Sequence, residues 1–504
     1  MQNQQTEKTL NYHSRTKHSY ESIRRNAHFL DWPNRPLPFK TYRDLEPIPL
    51  PPEREGTGVP GSVDLGNLRN LLYYAAGITK QRQYPGGEIL FRAAACTGAL
   101  YEIELYVVCA DLPDLAAGVY HFHPGDMALR RLRQGDFRAV VDAATEAPSL
   151  IVSTGTYWRN AWKYQARTYR HFGWDNGTIH ANLLAMADGL GLSARVMCGF
   201  VDSDVNGLLG LDMDREVALA IVATGEGCPA GSAPEMKPVQ LATVPLSKHE
   251  VDYPVMREMH RSTWLETAQE VTAWREMARC FEKPEEPAAE GINLEPVPAS
   301  DPIKEVIRRR GSSRRFRRDP ITFQQFSTIL DRSRQPILTD FPAINDIYAV
   351  VNAVDGLTPG AYFFDTRRCT LVPQKRGDFR DRATYLALGQ DLAGDAAASV
   401  FFLADLEQCL ASMGNRGYRA VQFEAGILGG RMYLGAYAQR LGATGLTFFD
   451  DDVTEFFSPH AANKIAVFLV AIGHPATIDS KSTVSLRKSV EDAATASGSI
   501  GYGS

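Results

Sequence analysis

No apolar stretch in this 504-residue chain approaches the roughly 18 residues that a helix needs to cross a bilayer. The opening Met1-Gln-Asn-Gln-Gln-Thr-Glu-Lys8 lacks the charged-then-apolar order of a secretory signal, so a cytoplasmic protein is expected. Cysteine is sparse and unpatterned. The seven residues Cys96, Cys109, Cys198, Cys228, Cys280, Cys369 and Cys409 are odd in number and form no C-x-x-C pair, which argues against a disulfide framework and a zinc site. Positive charge is not in excess either: the formal net charge is -5, so bulk nucleic-acid binding is disfavoured and any basic patch is local.

One such patch exists. Arg308-Arg309-Arg310-Gly311-Ser312-Ser313-Arg314-Arg315-Phe316 follows Asp301-Pro302-Ile303-Lys304-Glu305-Val306-Ile307, which predicts a helix with Asp near its start and Pro in its first turn. Guanidinium groups bind phosphate bidentately and serine hydroxyls add hydrogen bonds, so the block has the chemistry of a phosphate cradle. A solvated basic run is the plainer alternative.

The chain repeats itself. Gly118–Arg138 and Gly360–Arg380 align without a gap at an offset of 242, and Ile103–Val108 falls at the same offset on Asn345–Val350. Arg167-Thr-Tyr-Arg170 corresponds to Arg416-Gly-Tyr-Arg419, and Ala223-Thr-Gly225 to Ala471-Ile-Gly473, at slightly larger offsets. Each copy predicts a hairpin (Tyr106–Cys109 with Gly118–Phe122 in the first) and then a helix, with Ile179, Leu183, Met186, Ala187 and Leu190 on one face. A further strand follows, Val217–Ala223 or Ile465–Ile472. Strands mixed with long helices predict an α+β class. The expected division is an N-terminal extension over 1–60, a domain over 61–235, a connecting helix and linker over 236–300, a second domain over 301–490 and a flexible tail over 491–504. Within the connection, Tyr253–Arg279 is predicted as one amphipathic helix and Glu282–Pro302 as a Pro/Glu/Ala linker.

Tyr12-His-Ser-Arg-Thr-Lys-His-Ser19, Asn26-Ala-His-Phe-Leu-Asp-Trp32, Pro38-Phe-Lys-Thr-Tyr42 and Gly98-Ala-Leu-Tyr-Glu-Ile-Glu-Leu-Tyr106 together resemble the SagB-type, thiazole/oxazole-forming dehydrogenases of the FMN-dependent nitroreductase superfamily. The resemblance implies two tandem nitroreductase-like α+β domains forming an intramolecular pseudo-dimer, with further homo-oligomerisation left open. It also implies FMN as cofactor. The family's R-x-S-x-[RK]-x-F phosphate pattern is matched by Arg310, Ser312, Arg314 and Phe316, and Lys481, Arg487 and Lys488 match basic residues that close the same site. In the first copy, Arg24-Arg25-Asn26-Ala27-His28 lacks the serine and the spacing. The family's small-residue turn that approaches flavin falls on Ala95-Cys96-Thr97-Gly98 in copy one and on the bulkier Ile337-Leu338-Thr339-Asp340 in copy two. The family's backbone donors to the flavin ring fall on Thr444, Gly445 and Leu446 within Gly442–Thr447. Each copy is therefore expected to keep one half of a composite site, giving one FMN per chain.

The family's Lys-Tyr pair is matched by Lys163-Tyr164 ahead of Arg167 and Tyr169, and is missing from copy two at Met413-Gly414-Asn415. Lys163 is the expected base, which requires burial or a cationic neighbour to lower its pKa, and Tyr164 would position substrate or relay a proton. R-x-Y-R, present in both copies, is expected to be structural. His121-x-His123 has metal-like spacing without a third ligand, so no metal site is expected, and Cys96 is expected to be a small buried filler. The leading expectation is an FMN-dependent oxidase or dehydrogenase that takes a hydride from an azoline of a peptide-like substrate, with a cyclodehydratase as a possible partner and no nucleic acid or membrane partner. The alternatives are an NAD(P)H-dependent nitro- or quinone reductase and a flavin-free scaffold of a peptide-modifying complex.

Overall fold

The computed structural model describes residues 2–53, 61–84, 87–287, 289–298, 300–476 and 482–483, and divides the chain into two compact units. Unit 2 is built on a seven-stranded antiparallel sheet in the order Pro47–Pro49, Ala128–Gln134, Gly118–His123, Ile103–Cys109, Ser149–Thr156, Glu216–Thr224, Ala194–Met197. Unit 1 has an eight-stranded counterpart in the order Ile292–Asn293, Thr370–Arg376, Gly360–Asp365, Asp346–Val351, Ala398–Ala404, Ile465–Pro475, Phe316–Arg317, with Gly442–Gly445 also pairing Ile465–Pro475. The central strands are buried along their whole length, so they read as near-continuous apolar runs without period-two alternation. A long helix packs in each unit, Thr168–Gly189 or Asn415–Ala438, with Leu183, Ala187, Ile427 and Ala436 fully buried. Unit 2 also holds a small ribbon in which Ile78–Tyr84 pairs with Gly87–Arg92 and with Ser482–Thr483. All seven cysteines are free. Among the described residues no helix is long and apolar enough to cross a membrane.

The units do not follow the expected boundaries. Residues 1–29 belong to unit 1, and 30–276 and 337–341 to unit 2. The N-terminal helix Glu7–Arg15 lies on the start of the unit-1 long helix, where Thr9 Oγ1 donates to Asn415 Oδ1 (2.5 Å), His13 Nδ1 meets Tyr418 Oη (3.2 Å) and Arg416 N donates to Asn3 Oδ1 (2.7 Å). Unit 2 has the mirror arrangement: Tyr169 Oη meets His260 Nδ1 at 3.2 Å. The repeated R-x-Y-R tyrosine is thus a docking point for a histidine arm in both units, and each arm precedes the other copy in the chain.

Two sequence expectations between the copies need correction. Tyr253–Arg279 is two helices, Pro254–Ser262 and Ala268–Arg279, because Ser262 Oγ turns back to Met259 O and Thr263 Oγ1 to His260 O, closing the first helix at its C-terminus. The described residues of 282–302 are mostly exposed but are tied to unit 1 at two points. Ile292–Asn293 pairs with Leu371 and Thr370, and Lys283 Nζ is held by Asn345 O (2.6 Å) and Asp346 (3.0 Å). The stretch Leu294-Glu-Pro-Val-Pro298 resembles Leu45-Glu-Pro-Ile-Pro49 in sequence, but the paired edge strand is Ile292–Asn293 in unit 1 and Pro47–Pro49 in unit 2.

Candidate active site

In unit 1 the basic block becomes a shaped turn. The helix Ile303–Arg309 starts after Pro302 and ends when Arg310 leaves the helical region at φ -51° and ψ 138°, its N–H still bonded to Val306 O (2.9 Å). Arg309 does not face the turn: it is bonded to Asp301 (2.6 Å) and to Tyr437 O. Arg310 is buried, its guanidinium 5.9 Å from the Tyr433 ring centroid, and Ser312 Oγ lies 3.4 Å from Tyr433 Oη. The same phenol accepts the N–H of Gly445, and Ser313 N donates to Ala443 O (3.0 Å). Burial raises the Tyr437 phenol above its ordinary value, with Arg310 and Ser313 pulling it down. The cradle and the loop Gly442–Leu446, far apart in sequence, therefore meet through Tyr433. Gly442 permits that meeting, since a Cβ there would stand 2.2 Å from Ser313 Oγ. Thr444 and Leu446 are buried, while Arg314 is exposed. Lys481, Arg487 and Lys488 lie outside the described residues. One guanidinium and two serine hydroxyls on a single turn, with two phenols beside them, is a donor set that fits a phosphate monoester such as that of FMN.

In unit 2 the Lys-Tyr pair and the small-residue turn also meet. The helix Tyr157–Tyr164 ends where Gln165 takes φ 51°, and the long helix begins at Thr168. Asn160 Oδ1 ties the two, accepting from Thr168 Oγ1 (2.9 Å) and lying 2.8 Å from His171 Nδ1. The Tyr164 ring stands edge-on to His171, centroids 4.7 Å apart, and Lys163 Nζ is 5.2 Å from the Tyr164 centroid. Tyr164 closes on Gly98, which has φ 64° and where a Cβ would lie 2.8 Å from Tyr164 Oη. Only glycine meets both demands.

The turn itself is held from the long helix. Thr178 Oγ1 donates to Ala95 O (2.6 Å), and Asp175 accepts from Thr97 N and Thr97 Oγ1, each at 2.9 Å. Cys96 Sγ lies 3.4 Å from Glu102 Oε2 and 3.3 Å from Asp175 Oδ2. Burial, with Glu102 beside it, pushes the Asp175 carboxyl well above the usual range, and burial against these carboxyls pushes the Cys96 thiol up as well. Both effects favour the protonated thiol at Cys96, whose exposure is intermediate and not buried. His121 and His123 have side-chain partners: Glu104 for the first (3.0 Å), Asp126 (2.9 Å) and Thr41 (3.2 Å) for the second.

Sequence reasoning missed Asp175 and Tyr433. Asp175 left a trace, because Glu424 in the other copy's long helix does similar work, accepting the N–H groups of Ile344 and Asn345 at 2.8 Å each. Tyr433 left none, being one apolar-face residue among many on its helix.

Comparison with known proteins identifies the fold. The profile of the Nitroreductase family matches residues 75–226 and again 307–474. The chain is 30% identical over 179 residues to the Trifolitoxin-processing protein TfxB of Rhizobium leguminosarum bv. trifolii, covering 33% of this chain and 48% of that one. It is 30% identical over 154 residues to the Microcin B17-processing protein McbC of Escherichia coli, covering 28% and 53%. The chain thus spans about half the length of these two curated relatives. The crystal structure of a protein described as a candidate nitroreductase from Anabaena variabilis superposes with a TM-score of 0.77 at 26% identity, over 93% of this chain and 99% of that one. The chain belongs to the nitroreductase family, carries its α+β fold as two tandem copies, and within the family is similar to the SagB-type processing proteins.

Proposed function

We propose that this chain is an FMN-dependent oxidoreductase of the azoline-oxidase type, acting on a heterocycle within a peptide or peptidyl substrate, in the cytoplasm and alongside a cyclodehydratase. The observation that carries the reading is the convergence, in unit 1, of Arg310, Ser312 and Ser313 with the loop Gly442–Leu446 around Tyr433. FMN, when bound, supplies the hydride acceptor. Arg310 and the serine hydroxyls would hold its phosphate, and the backbone of Thr444–Leu446 would offer donors toward its ring.

Azoline oxidation removes a hydride and a proton from adjacent ring atoms. Lys163 takes the proton and Tyr164, pinned at Gly98 and against His171, orients the ring. The peptide-processing relatives support the substrate class, and the seven free cysteines support a reducing compartment.

The test is flavin uptake and turnover together. The purified chain should bind about one FMN and be bleached anaerobically by an azoline-bearing peptide, and Lys163→Ala should keep the flavin while losing at least about two orders of magnitude in rate. Rapid bleaching by NADPH with none by the azoline would establish a reductase instead. No uptake of FMN would leave a scaffold.

A further inference from the structure

We infer that the copy-one counterpart of the proposed flavin loop is closed by a segment of the chain itself: Ile337–Phe341 occupies it, with Asp340 as an internal anionic ligand. The inference deepens the proposed function and rests on it.

Strand register defines the counterpart. Gly445 pairs with Val470 as Val196 pairs with Val222, so Ala194–Gly199 in unit 2 stands where Ala443–Phe448 stands in unit 1. In unit 1, Gly445 N is satisfied by Tyr433, the residue beside the cradle. In unit 2, the equivalent Val196 N donates to Leu338 O (2.8 Å), Asp340 N returns a bond to Val196 O (3.2 Å), and Thr339 bridges Val196 in parallel.

The next donors are taken by a carboxylate. Cys198 N donates to Asp340 Oδ1 (2.8 Å) and Gly199 N to Oδ2 (2.9 Å). Arg275 Nε reaches Oδ2 at 3.2 Å, and its other end donates to Gly199 O at 2.8 Å, so the plug is itself clamped by the helix Ala268–Arg279. Asp340 is only 7% exposed. Two consecutive backbone N–H groups and a guanidinium on one carboxylate form a built anion site whose occupant is supplied in the chain.

Leu45 to the buried helix residue Leu68 spans 23 positions, whereas the similar Leu294 to Phe326 spans 32 and contains the Arg310–Arg314 block. The bulky Ile337–Asp340, which departs from the small-residue turn expected there, thus has a role of its own.

The test uses the full-length chain freed of flavin, with hydrogen exchange read by mass spectrometry and bound FMN counted by absorbance. With FMN added, about one should bind per chain, and exchange should slow across 442–447 while 194–201, already protected, stays unchanged. Arg310→Ala should abolish that uptake. Asp340→Ala, or Asp340→Asn if the alanine variant fails to fold, should speed exchange at Cys198 and Gly199 on the order of tenfold. Two FMN per chain, FMN-dependent slowing at 194–201, or an Asp340 variant without effect on these amides would each overturn the inference. No uptake by the unsubstituted chain would instead overturn the proposed function, and this inference with it.

Discussion

At the scale of single residues, Gly98 has a demanding place. A Gly98→Ala chain must hold a positive φ, costing about 1–2 kcal/mol, and must also push Tyr164 away. We expect a small fall in the denaturation midpoint of unit 2 and a much larger fall in azoline turnover. His180 is a different case. It is fully buried, and desolvation lowers its pKa to about 4, against an ordinary value of 6.5. The unfolded chain therefore binds the extra proton between these two values, so stability is complete above about pH 6.5 and is lost as pH falls toward 4, by about 3 kcal/mol in total. Urea denaturation at pH 7 and pH 4.5 should show that loss, and His180→Gln should flatten its share of the slope. A profile unaltered by the substitution would rule His180 out as the cause.

At the scale of elements, the helix Tyr157–Tyr164 is aimed by Arg159. Its guanidinium donates to Tyr101 O (2.7 Å) and Glu104 Oε1 (2.6 Å), joining the Lys-Tyr helix to the strand that begins just after the small-residue turn. Arg159 holds Glu104 well below the usual carboxylate range, with His121 helping, against the burial that opposes ionisation. Arg159→Ala would leave a buried carboxylate with less compensation and should cost roughly 3–5 kcal/mol, measurable by chemical denaturation. Because the same change frees the helix carrying Lys163, turnover should fall further than the Glu104→Gln change brings about. The arms are the other element-scale device. A helix with one apolar face and little length gains its stability from docking, and Glu7–Arg15 docks through Thr9, Tyr12 and His13, its buried residues.

At the scale of the molecule, the exchange of arms has a consequence for the chain cut between the copies. The arm of residues 1–29 belongs with unit 1, whose core follows residue 276, and the arm containing His260 belongs with unit 2. Fragments 1–250 and 251–504 produced together should co-purify, because each carries the arm that completes the other's core. Produced separately, each should exchange rapidly at its R-x-Y-R segment, Arg167–Arg170 or Arg416–Arg419. Fragments that separate cleanly and retain slow exchange there would show that the arms contribute nothing.

The duplication, the α+β class, the central hairpins and the basic turn were legible in the sequence, because each depends on local pattern: strand periodicity, helix starts, and a constant offset between copies. The Lys163-Tyr164 pair, the Ala95–Gly98 turn and the R-x-S-x-R-x-F block were singled out through the family resemblance, and their roles belong to the proposed function. What the sequence could not decide is who meets whom. That Tyr433 joins the basic turn to Gly445, that Asp175 holds the small-residue turn, that Ile292–Asn293 is an edge of the sheet and that the arms dock on exchanged cores all depend on contacts between residues tens to hundreds of positions apart. Local propensity carries no term for such contacts. They are selected by burial and hydrogen-bond satisfaction once the two sheets exist, and only the tertiary structure records the selection.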